Sequence, residues 1–188
     1  QVALDGNGDA IIYWREEVGT FVPNEAENQT GELMVRYRNN DGSLEDAKSV
    51  SPEGEDSFNA SQEINKPRIV FHDGKAAITW WGVSNGRNVI YASVMNEKNT
   101  WVRTQLTASG KSAILPSISI DSNAERLGVS WQRTDGLHYR IQSRFYDFNT
   151  KKWTPVHTAS DPGGNAIHSD INMDGNNVAT LAWVRYSP

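Results

Sequence analysis

Along most of this chain apolar and polar residues alternate, the period-two pattern of strands that bury one face. No stretch carries the 3.6-residue apolar period of an amphipathic helix, so almost no helix is predicted. Four segments share one outline: an alternating strand, an Asp-centred turn, then a second strand ending in Trp. They run from Val2 to Trp14, from Pro67 to Trp80, from Pro116 to Trp131 and from Asp170 to Trp183. The four tryptophans stand 66, 51 and 52 residues apart, and the longer interval contains loop insertions. Agreement of this kind marks an internal repeat.

Each of the first three units continues with two more strands. The predicted pairs are 33–38 with 44–50, 89–95 with 101–106, and 137–146 with 153–157. Asn39-Asn40-Asp41-Gly42 joins the first pair and Asp147-Phe148-Asn149-Thr150 the third, both turn chemistry between alternating runs. Four antiparallel strands in a unit of about 50 residues is the pattern of a β-propeller blade. The predicted fold is therefore all-β, one propeller segment of about three and a half four-stranded antiparallel blades. Their approximate limits are 1–62, 63–113, 114–166 and a partial 167–188. Closed rings use about four to eight blades, so further blades of the same protein, or an oligomer partner, are expected to continue this one. The chain opens on Gln1 with no charged-then-apolar leader, the expectation for a processed chain or a piece of a longer one.

Asp5-Gly6-Asn7-Gly8-Asp9-Ala10 followed by Trp14, and Tyr146-Asp147-Phe148-Asn149-Thr150-Lys151-Lys152-Trp153, resemble the blade repeats of bacterial secreted and cell-surface β-propellers. The resemblance covers nearly the whole chain. It implies the fold and a secreted or surface location, and it leaves the activity open, because lectins, glycosidases, lyases and scaffolds share such folds. The turns are also similar to the Asp-boxes of sialidases. They depart from them in lacking the Ser/Thr-x-Asp-x-Gly-x-x-Trp order.

Composition narrows the function classes. The net charge of −5 lacks the basic footprint that phosphate neutralisation needs, so no nucleic-acid partner is expected. No apolar run reaches the ~18 residues of a membrane-spanning helix. Cysteine is absent, which removes disulfides, thiol catalysis and Cys-based zinc sites together. The acidity is also local. Residues 16–31 hold four acids and no base, residues 52–66 four acids and one lysine, leaving the remainder slightly basic.

In a blade the loop after the second strand and the loop before the next blade share one face. The two long acidic segments occupy those places, so that face is the predicted binding face. The residue after each repeated Trp also varies in character there: Arg15, Trp81, Gln132 and Val184. Trp81 near Arg87, with Arg15, Gln132 and Asp135, is the predicted ligand rim at the channel mouth. Packing between blades is the alternative role for Trp81. The four histidines lack metal-ligand spacing, so neither zinc nor a Ser–His–Asp triad is expected. Asp170-x-Asn172-x-Asp174 matches the first half of a calcium loop, and Asp5-x-Asn7-x-Asp9 imitates it. The twelfth position, where such a loop needs Glu, is Leu181. No cofactor is therefore assigned, with calcium kept as a weak candidate. The loop carboxylates offer no distinguished pair for glycoside hydrolysis, so no catalytic residue is named. Asn28 and Asn59 open Asn-x-Ser/Thr sequons, which matter only in a eukaryotic source. The expected function is a non-catalytic module that binds a glycan or a protein. The alternatives are part of a sialidase-like glycosidase and a scaffold without ligand.

Overall fold

A computed structural model describes residues 1–17, 31–51, 66–108 and 110–186, and every named element among them is a strand. The first sheet has the order β1 (Val2–Leu4), β2 (Ala10–Glu17), β3 (Gly31–Arg38) and β4 (Lys48–Ser49). The second repeats it with β5 (Arg68–His72), β6 (Lys75–Ser84), β7 (Arg87–Glu97) and β8 (Thr100–Gln105). In the third, β9 (Ala113–Ile120), β10 (Arg126–Thr134) and β11 (Tyr139–Asp147) carry an outer strand in two pieces, β12 (Lys152–Trp153) and β13 (His157–Thr158). A two-stranded sheet, β14 (Asn165–Met173) with β15 (Ala179–Tyr186), stands in the place of a fourth blade. All pairings are antiparallel and join sequence neighbours, except that β13 continues the outer strand on β11, as a chain of hairpins dictates.

Local chemistry sets these limits. Asn85 and Gly86 both take positive φ (51° and 70°), so β6 and β7 are joined by a two-residue turn of the type whose twist matches the strands. Pro155 lies between β12 and β13, where it offers no N–H to the ladder and interrupts the outer strand predicted over 153–157. The outer strand predicted over 44–50 is likewise reduced to β4 and a single bridge from Leu44 to Arg38.

Alternation then stacks the sheets. Ala76, Ile78 and Trp80 of β6 face the first sheet, in a core with Ile11, Tyr13, Leu33, Val35 and Tyr37. Ala77 of β6, with Ile90, Ala92 and Val94, faces the third sheet, in a core with Ile118, Leu127, Val129 and Trp131. The innermost strands lie side by side, β1 on β5, β5 on β9 and β9 on β14. Trp80 and Trp131 are completely buried, whereas Trp183 is 36% exposed. Segments 18–30 and 52–65, with Asn28, Asn59 and most of the loop acids, lie outside the described residues.

Candidate functional site

The innermost strands β9 and β14 share an irregularity. Ser117 pairs with Ser130 and Ile114 with Gln132, so Leu115 and Pro116 together oppose Trp131 alone. In the next sheet Asp170 pairs with Ala182 and Ile167 with Val184, so His168 and Ser169 oppose Trp183. Each is a β-bulge, one extra residue that bends the strand and re-aims its side chains. Leu115 and His168 adopt φ of 54° and 53°, a left-handed conformation uncommon outside glycine. Such strain persists where surrounding contacts impose it, and it clusters at binding sites.

A cavity of about 490 Å³ opens at these bulges, within the size range of small-ligand sites. Arg68 and Ile69 of β5 form one wall, the segment from Leu115 to Ile118 the floor, and His168, Ser169 and Asp170 the far wall. The cavity lies where the chain re-enters β5 from segment 52–65, on the face expected to bind. Ser117 Oγ donates to Asp170 Oδ1 at 2.6 Å, and the Ile171 N–H reaches the same oxygen at 3.1 Å. Asp170 Oδ2 and the Arg68 guanidinium make no hydrogen bond or ion pair among the described residues. The paired hydroxyls of Ser130 and Ser169, 3.1 Å apart, lie buried behind the wall. Next to Arg68, the Tyr13 hydroxyl donates to the Pro67 carbonyl at 2.6 Å. Burial pushes the Tyr13 pKa up to about 12, against a smaller opposing pull from Arg68.

None of the five residues predicted for the rim lines this cavity. Trp81 packs against the core between the second and third sheets, and its indole N–H is buried with no acceptor among the described residues. Arg87 is exposed beside the Asn85-Gly86 turn, at a separate cavity of about 260 Å³. Arg15 is half-buried on β2, with its side chain close over Gly31. Gln132 is buried behind the bulge, where Oε1 accepts the His168 N–H at 3.0 Å. Asp135 is a turn residue. It accepts the N–H groups of His138 and Leu137 and pairs with Arg140 at 2.9 Å, and those backbone donors hold its pKa down at about 2.

Asp170, Asn172 and Asp174 follow one another at alternate positions from β14 into its turn, and Asp174 Oδ1 is taken by the N–H groups of Asn176 and Val178. Among the described residues no three His, Asp or Glu side chains gather as a metal site. Among the described residues the cavity is lined by one carboxylate, Asp170, where glycoside hydrolysis by the usual route needs two. The sequence singles out neither Arg68 nor Ser117, offers His168 only with the other histidines as a metal or triad candidate, and offers Asp170 only as a calcium ligand. The available signal was Pro116: proline inside an innermost strand marks a bulge or an edge.

No family model matches the chain, and no curated protein matches it. Among solved structures it superposes on the Dos1 propeller with a TM-score of 0.52, at 9% identity, over 96% of this chain and 41% of that one. The fold is that of a β-propeller. Two further likenesses are a sucrose-6-phosphate hydrolase from Lactobacillus gasseri (TM-score 0.49, 15% identity, 94% of this chain and 39% of that one) and a glycosyl hydrolase from Bacteroides ovatus (TM-score 0.39, 11% identity, 100% and 83%). The chain thus spans about two fifths of the length of the Dos1 propeller and of the Lactobacillus enzyme. At these identities the propeller likeness speaks for fold alone.

Proposed function

We propose that this propeller arc is a non-catalytic binding module of a secreted or cell-surface protein, and that its ligand is a glycan seated in the channel-mouth cavity. The observation that carries the reading is that Arg68 and Asp170, side chains of opposite charge, line one partly apolar cavity together. A sugar hydroxyl both donates and accepts, so a carboxylate and a guanidinium lining one cavity can read a ligand that carries several. Ile69, Leu115, Pro116 and Ile118 offer the apolar surface on which the C–H face of a sugar rests. Among the described residues the cavity presents one carboxylate, which fits binding better than two-carboxylate hydrolysis.

A glycan panel followed by titration calorimetry tests this. Hydrogen bonds to charged groups contribute about 1.5–3 kcal/mol, so Arg68→Ala and Asp170→Asn should each weaken binding about tenfold or more. Both residues are exposed, and their thermal unfolding should match wild type. Absence of any glycan ligand, or affinity that survives both substitutions together, would overturn the reading. Turnover of a chromogenic glycoside would replace it with an enzyme.

A further inference from the structure

The residue after each repeated Trp changes character from blade to blade, and the stacking of the sheets explains what that position meets. Alternation turns the Trp toward the preceding blade and its successor toward the following one. Trp80 lies in the core shared with the first sheet, whereas Trp81 packs on the core shared with the third. Trp131 likewise faces the second sheet, and Gln132 meets β14 through the His168 N–H. A bulge leaves its extra residue without a ladder partner, and an N–H partly withdrawn from water is satisfied by an acceptor from elsewhere. The Gln132 amide oxygen, on a side chain 5% exposed, supplies one. Among the described residues the bulge at Leu115, preceding Pro116, shows no such bond; Trp81 offers apolar packing to the core on that side.

We propose that Gln132 is a positioning residue for the channel-mouth site. It holds the His168–Ser169 bulge in the conformation that sets His168 and Asp170 into the cavity, and it does not itself touch the ligand. The Ser130–Ser169 hydroxyl pair ties the same bulge to the same strand of the third sheet. The inference rests on the cavity being the binding site, and it reassigns Gln132 from contact to support.

Two readouts on Gln132→Met and Gln132→Glu test it: amide hydrogen exchange at His168, and glycan affinity. Met keeps the length and removes the acceptor; Glu keeps an acceptor oxygen. In Gln132→Met the His168 amide should exchange at least tenfold faster and affinity should fall about tenfold, with the amides of Leu127 and Val129 unchanged. Gln132→Glu should retain most of both. Should Gln132→Met fail to fold, Gln132→Asn withdraws the amide by one methylene and is read the same way. Unchanged His168 exchange in a folded Met or Asn variant overturns the positioning role. Lost affinity with unchanged exchange makes Gln132 a direct contact instead. A wild-type protein that binds no glycan defeats the binding reading alone, since the exchange measurement still decides whether Gln132 holds the bulge.

Discussion

Gly128, in β10, is a point of close approach between the third sheet and the β14–β15 sheet. A Cβ placed there would stand 2.7 Å from Ile171 Cδ1, 3.0 Å from Phe145 Cε1 and 3.1 Å from Met173 Sδ. Ile171 and Met173 are 5% and 6% exposed, so neither can swing clear into solvent. Inserting a methyl into such packing costs about 1–3 kcal/mol. Replacing glycine by alanine also removes freedom from the unfolded chain, which returns about 0.4–1 kcal/mol. Gly128→Ala is therefore expected to lose about 0.5–2 kcal/mol of stability. Ile171→Val deletes the nearest offending atom and by itself costs about 0.5–1.5 kcal/mol. The double variant should be more stable than the sum of the two losses by about 0.5 kcal/mol or more, because the shortened side chain makes room for the new methyl. Urea denaturation of the four proteins, with m-values held equal, measures the cycle. Additivity within about 0.3–0.5 kcal/mol, or a neutral Gly128→Ala, would refute the close approach.

Trp131→Ala, at a fully buried position, should cost about 3–5 kcal/mol. Trp183→Ala at the equivalent but 36% exposed position should cost less than half of that, and equal losses in denaturant melts would contradict the burial difference. The raised Tyr13 pKa means the folded state holds the phenol proton more tightly than the unfolded chain. Its contribution to stability is whole below about pH 10 and is lost as pH rises through about 12, so Tyr13→Phe should flatten the decline measured over that window. Asp135 works in the other direction, its folded pKa depressed to about 2. Asp135→Asn should flatten the acid loss that wild type shows as pH falls from about 4 through 2, and equal slopes would remove the turn bonds as its cause.

The hairpins were legible because strand alternation, Asp and Asn-Gly turns and a recurring Trp are local signals that the fold uses directly. Trp80 and Trp131 landed at equivalent buried positions for that reason. The outer strands were read too long, because Pro155 breaks a ladder whose apolar pattern continues past it. The cavity was less legible still. Arg68, Ser117, His168 and Asp170 come from three successive units and meet only once the innermost strands lie side by side. His168 is a strand residue in left-handed conformation, which no composition rule assigns to histidine at that place. Trp81 and Gln132 drew attention by varying at one repeat position, and that variation is matched by different neighbours across the blade boundary.

The bond from Gln132 to His168 joins one repeat to the next, and this changes what can be exchanged in such a protein. A blade copied or transplanted by itself would carry Gln132 without His168, or the bulge of β14 without its acceptor. The inheritable unit is the stretch from β10 through β14, which crosses the boundary between two blades. Chimeras that cross over within a blade, between its second strand and the turn that follows, should separate these partners, whereas crossovers that move β10 together with β14 keep them matched.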